Sequence, residues 1–186
     1  MIEARNISKS FDGKSVLEGV SLVIEKGKCT ALTGASGRGK TTLMRILAGL
    51  LEPDSGEVIY RERPRFSFVF QENRLLEHRT VIDNILTVQS DRERAEYFLV
   101  RTGLYEDRNK KASDLSGGMK RRLAVARALA YGGELYFLDE PLRELDGETL
   151  RAVAEVIKEE IAGKTAVLIT HDEFSSDFLS DIKIEV

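Results

Sequence analysis

Residues 34–41 read Gly-Ala-Ser-Gly-Arg-Gly-Lys-Thr. They lie between a short apolar run, Lys28–Thr33, and a helix-forming run, Thr42–Gly49. A strand that turns through a glycine loop into a helix commits the chain to an α/β core and to binding a nucleoside triphosphate. Gly34, Gly37 and Gly39 permit backbone angles that a Cβ forbids. Successive N–H groups then turn inward as an anion nest, to which Ala35, Ser36, Arg38 and Thr42 also belong. Lys40 brings a positive charge to the phosphates, and the Thr41 hydroxyl is a hard oxygen suited to Mg²⁺. A helix starting near Lys40 adds its positive dipole end to the same anion.

The rest of the chain supplies the sheet that such a loop needs. Leu135–Leu138 and Thr165–Ile169 are continuous apolar runs, as in strands covered on both faces of a parallel sheet. Between them Leu150, Val153, Ala154, Ile157 and Ile161 make one helical face, and Gly163 stands where that helix should stop. Residues 2–7 and 17–25 read as strands with Asp12-Gly13 as a turn. Residues 57–60 and 67–70 read as further strands, separated by a charged connection over 61–65. Residues 72–115 turn polar and helix-prone, with helices expected over 80–88 and 91–102. The expected architecture is one α/β domain over 1–186. It has a mostly parallel sheet, an antiparallel β subdomain and a helical subdomain inserted at about 72–115.

Four other segments carry chemistry. Asp139 and Glu140 end the strand 135–138, and ligands of open α/β sheets bind at the carboxyl ends of strands. Asp139 can join the Mg²⁺ shell, and Glu140 can orient or deprotonate an attacking water. His171 and Gln71 end two other expected strands in the same way. His171 suits the γ-phosphate, and the Gln71 amide oxygen suits the metal or the water. Ser116-Gly117-Gly118 opens a helix-forming run, so a hydroxyl, glycine amides and a helix N-terminus form a second anion site. One triphosphate hardly needs two such sites, which points to service on the nucleotide of a second copy.

Composition narrows the classes. The net charge is −3, so no basic field invites nucleic acid. The basic cluster Lys120-Arg121-Arg122 reads as a solvated helix face. The single cysteine, Cys29, excludes an internal disulfide and reads as a small buried strand residue. No apolar run approaches the length of a membrane span, and the N-terminus lacks the apolar core of a signal peptide.

The chain resembles the nucleotide-binding subunits of ABC transporters. The matching motifs follow the family's order: the loop at 34–41, Gln71, Leu-Ser-Gly-Gly at 115–118, Leu-Asp-Glu-Pro at 138–141, Leu145-Asp146 and Thr170-His171. The resemblance implies a P-loop NTPase core that hydrolyses ATP with Mg²⁺. Two subunits would pair head to tail, each loop facing the other's Ser116, Gly117 and Gly118. Asp146 would link the two sites, and Phe11 would stack on adenine. The 72–115 region would dock on transmembrane permease subunits served by a solute-binding protein, holding the subunit on the cytoplasmic face of the membrane. Residues 70–76, 79–84 and Met119 resemble importers of nitrate, sulfonates and similar small anions. An ABC-type ATPase of DNA repair or translation, and a nucleotide-gated module without turnover, are the alternatives. The first lacks its usual coiled coils or zinc modules here, and Glu140 argues against the second. The chain departs from the family pattern at Phe11 for Tyr, Arg143-Glu144 for small residues, Arg121 for Gln, and Glu77-His78 for Pro-Trp. It ends soon after the last strand expected, so a C-terminal regulatory extension is not expected.

Overall fold

The computed structural model describes residues 2–62 and 64–186; Met1 and Arg63, the latter within the charged connection, lie outside the described residues. The chain opens with a hairpin, β1 (Ile2–Phe11) and β2 (Lys14–Ile24). Asp12 and Gly13 both take left-handed φ, 49° and 76°, which matches the twist of two strands joined by a two-residue turn. Both strands therefore run up to the turn and are longer than alternation suggests, since polar Ser8–Ser10 and Lys14-Ser15 mask the pattern. The next elements are β3 (Cys29–Thr33), α1 (Lys40–Leu47), β4 (Ser55–Tyr60) and β5 (Phe66–Val69). They are followed by α2 (Val81–Leu86), α3 (Arg92–Arg101), α4 (Gly117–Tyr131) and β6 (Leu135–Asp139). The chain closes with α5 (Gly147–Ile161), β7 (Thr165–Ile169), α6 (Glu173–Leu179) and β8 (Ile182–Glu185).

Two sheets result. β2-β1-β4 is antiparallel, and β5-β6-β7-β3-β8 is parallel at every described pairing. The apolar runs at β6 and β7 are buried at every position, as strands covered on both faces should be. Their side chains alternate between two cores. Tyr136, Leu138, Ala166 and Leu168 face one formed with α2, α3, α4 and α5. Leu135, Phe137, Val167 and Ile169 face another, formed with α1 and the hairpin. In α5 the buried residues are Val153, Ala154, Val156, Ile157 and Ile161, close to the expected stripe, and Gly163 (φ 71°) follows its end.

Helix α2 is capped by Thr80, whose hydroxyl accepts the Asp83 N–H, and α3 by Asp91, which accepts that of Arg94. Both helices pack on α4. The sequence reading missed α6 and β8. The first is a polar seven-residue helix started by an Asp172 cap, and the second is four alternating residues paired with β3 at the sheet edge. Neither is long enough to display a period.

Candidate active site

Strand register brings the chemical residues together. Val69 pairs with Leu138, Asp139 with Ile169, and Leu32 with Ile169. The residues leaving β3, β5, β6 and β7 at their carboxyl ends therefore emerge side by side. They surround a cavity of about 400 Å³. Its walls hold the loop and first turn (Ser36, Gly37, Gly39 to Thr42), Gln71, the acids Asp139 and Glu140, and His171. Val16, from β2, also lines it. Val16 carries no local signal in the sequence, because its place depends on the hairpin folding against the loop.

Two glycines are needed for contact as well as for backbone angle. A Cβ on Gly39 (φ 85°) would lie 2.9 Å from the Val16 carbonyl oxygen and 2.8 Å from a Leu17 methyl. A Cβ on Gly34 (φ 129°) would lie 2.6 Å from the Val186 carbonyl oxygen, beside the end of β8. The loop is thus clamped between hairpin and sheet edge. Lys40 is only 5% exposed, and its ammonium donates to the carbonyls of Gly34 and Ala35, each at 2.8 Å. Among the described residues this cation is held at the loop by neutral dipoles alone.

The Thr41 hydroxyl donates to Asp139 Oδ2 at 3.1 Å. Burial raises the Asp139 pKa, with the Thr41 bond and the Arg121 charge pulling it back. A carboxylate so desolvated is a hard oxygen awaiting a cation, and with Thr41 and Gln71 it offers the donor set that Mg²⁺ takes beside phosphate oxygens. Among the described residues no group of three or more His, Cys, Asp or Glu side chains gathers around a metal position. The site would therefore depend on oxygens from the nucleotide. Because the fold favours neutral Asp139, its contribution to stability is fully present at low pH and is lost as pH rises through its raised folded pKa. Asp139→Asn should accordingly stabilise the nucleotide-free protein near neutral pH by about 1 kcal/mol. The gain should shrink in acid, as followed by thermal unfolding at two pH values, while ATP turnover falls.

Glu140 sits at φ 53°, and its N–H donates to the Ile169 carbonyl at 2.8 Å. Its carboxylate lies 3.4 Å from His171 Nε2. Burial raises its pKa foremost; the His171 charge acts in the opposite sense. A carboxylate lifted in this way and facing a cavity fits work on a proton of water.

Other residues expected at the site stand elsewhere. Gly34, Ala35 and Arg38 belong to the loop but do not line the cavity. Phe11 is 45% exposed at the end of β1, with Lys9 Nζ 5.7 Å from its ring centroid, and is also outside the cavity lining. Ser116 caps α4 by accepting the Met119 N–H at 3.3 Å, which leaves its hydroxyl proton free for an anion. Ser116, Gly117 and Gly118 are not part of the cavity, and neither is Asp146, an exposed residue before α5.

One reading needs correction. Arg121 is not on a solvated helix face: it is 2% exposed. Its neighbours also have fixed partners. Lys120 pairs with Glu77 at 3.0 Å, and Arg122 donates to the carbonyls of Thr102 and Gly103 at 2.8 and 2.9 Å. Cys29 is buried as expected, and burial pushes its thiol up to about 12. No helix among the described residues is long and apolar enough to cross a membrane.

Comparison with known proteins agrees with this geometry. The family described as "ABC transporter" matches residues 17–143. The chain is 36% identical to the arginine transport ATP-binding protein ArtM of Bacillus subtilis, over 92% of its own length and 81% of the relative's. It is 39% identical to the aliphatic sulfonates import ATP-binding protein SsuB 1 of Shouchella clausii, over 94% and 72%. Against the spermidine/putrescine import protein PotA of Mycoplasma mycoides it is 34% identical, but spans only 57% of that relative. Among solved structures, the dimeric post-hydrolysis state of the ATP-binding cassette MJ0796 with ADP and Pi superposes with a TM-score of 0.90. That match has 27% identity and covers 100% of this chain and 94% of the other. With its loop, acids and His171 on one cavity at the strand ends of this fold, the chain belongs to the ABC transporter family as one of its ATP-binding cassettes, an ATPase domain.

Proposed function

We propose that the cavity is one half of an ATP site and that a second copy of the chain supplies the other half. The observation that supports this is a division of the motifs. Lys40, Thr41, Gln71, Asp139, Glu140 and His171 share one cavity, while Ser116, Gly117 and Gly118 lie outside it. An α4 N-terminus with free amides and a hydroxyl is suited to a phosphate that its own loop does not hold. A head-to-tail pair satisfies both sites with one self-complementary surface. The cassette MJ0796, described as dimeric, is the analogy.

In this reading the 34–42 segment wraps the phosphates, Lys40 neutralises them, and Phe11 offers its ring to adenine. Thr41, Asp139 and Gln71 would hold Mg²⁺, which would supply neutralisation of the phosphate charge. Glu140 takes a proton from the attacking water, and His171 sits beside the γ-phosphate. Asp146, exposed ahead of α5, links one site to the other. Turnover releases the clamp, and residues 72–115 pass the movement to transmembrane permease subunits, which would hold the cassette at the inner face of the membrane. A solute-binding protein would complete the transporter. Residues 70–76, 79–84 and Met119 support a small anion as the imported solute. The relatives named for arginine, polyamines and sulfonates differ among themselves, so their names do not select one.

Ser116→Arg tests the shared site. Its exposed position predicts an intact fold, with a loss of about 1 kcal/mol in stability from the missing helix cap. A guanidinium at the mouth of the anion site should abolish ATP-driven pairing and lower ATPase activity by about 100-fold. Size-exclusion chromatography with ATP reads the first effect, and a dimer of wild-type strength would exclude the model.

A further inference from the structure

Arg121 is a buried cation that no step above employs. It projects from the start of α4, the helix that Ser116 caps, into the seam between the ends of β5 and β6. Nη1 donates to the Phe70 carbonyl at 2.6 Å, to that of Gln71 at 3.4 Å and to Asn73 Oδ1 at 3.2 Å. Nε donates to the Glu140 carbonyl at 3.0 Å, and Nη2 to the carbonyls of Asp139 and Glu140. Its hydrogen-bond acceptors are thus main-chain carbonyls and one side-chain amide, not a carboxylate. Burial lowers its pKa to about 10, so it stays charged at neutral pH.

The acceptors are the informative part. Glu140 precedes Pro141 and still holds φ 53°. Proline pushes the residue before it toward extended backbone, and left-handed φ is itself disfavoured for a residue with a Cβ. Such a conformation persists only where its surroundings over-determine it. Here the Glu140 N–H is fixed on Ile169, and its carbonyl is gripped by two N–H groups of one planar fork. The same fork fixes the carbonyls of Phe70 and Gln71, the backbone that carries the Gln71 amide.

We propose that Arg121 is a positioning residue for ATP hydrolysis. It locks the Glu140 peptide and the Gln71 segment to α4, so that carboxylate and amide keep one fixed relation across the cavity. This inference rests on the reading of Glu140 as the group that acts on water. Its consequence is that approach of a second subunit's nucleotide to Ser116 is transmitted by one side chain to Glu140 and Gln71. Lysine keeps the charge but not the fork, and cannot hold these acceptors together.

The test compares Arg121→Lys and Arg121→Met with wild type, alone and combined with Glu140→Gln, by steady-state ATPase assay, ATP titration and thermal unfolding. Arg121→Met should lower kcat by about tenfold or more, with KM and ATP affinity within about threefold, since the phosphate loop is untouched. Arg121→Lys should recover part of the rate, and the acid limb of the kcat–pH profile should move in both variants. In the Glu140→Gln background neither substitution should lower kcat further. Wild-type kcat in both variants would overturn the inference. So would loss of kcat and ATP affinity together in step with thermal stability, a full multiplicative loss in the double variants, or failure of both variants to fold. The underlying reading fails separately: a Glu140→Gln variant with normal turnover removes the base assignment, whatever Arg121 does.

Discussion

Glu140→Gln should lower the rate of ATP hydrolysis by about 100- to 10,000-fold, the range expected for loss of a general base. The amide is nearly isosteric, so the φ 53° backbone, the N–H bond to Ile169 and the grip of Arg121 should survive. What is lost is the carboxylate 3.4 Å from His171 Nε2. Burial raises its pKa, so the wild-type rate should fall with acidity above the usual carboxylate range, as Glu140 takes up a proton and ceases to be a base. The variant should lack that limb. Binding should be kept or strengthened, because an acidic group is removed beside a polyanion. The variant should therefore accumulate as an ATP-bound pair, visible by size-exclusion chromatography with ATP and silent in single-turnover phosphate release. Turnover within about threefold of wild type would remove Glu140 from the chemistry.

The parts of the site that the sequence displayed are those fixed by contiguous spacing. The loop at 34–41 is legible because every position in it answers to one bound anion. Asp139 and Glu140 are legible because an apolar strand points at them. What the sequence could not display depends on which way a helix turns. Lys120, Arg121 and Arg122 look alike in a row, yet α4 sends the first to Glu77, the third to Thr102 and Gly103, and only Arg121 under the cavity. Val16 is similar: its place at the wall follows from the hairpin closing on Gly39, a contact between segments far apart in the chain. At the fold level the fully buried strands announced themselves through their apolar runs. The edge elements α6 and β8 did not, since a seven-residue helix and a four-residue strand are too short to set a period.

Lys40→Ala is the other large effect. The wild-type ammonium is nearly buried and, among the described residues, is satisfied by two carbonyls of its own loop, each at 2.8 Å. A bound triphosphate replaces those neutral acceptors with charged ones, and charge-assisted bonds are about twice as strong as neutral ones. Removing one partner of a desolvated charge pair costs about 2–5 kcal/mol, which is a loss of ATP affinity of about 30-fold to several thousand-fold. The nucleotide-free fold should bear little of that loss. The loop geometry is held by Gly39 against Val16 and by Gly34 against the end of β8, and neither contact involves the lysine side chain. Isothermal titration with ATP, paired with thermal unfolding of the free protein, separates the two quantities. Affinity lost with the unfolding midpoint preserved is the expected pattern. Unchanged affinity would refute the phosphate-loop assignment, and a collapsed midpoint would show that Lys40 serves the loop's fold rather than its ligand.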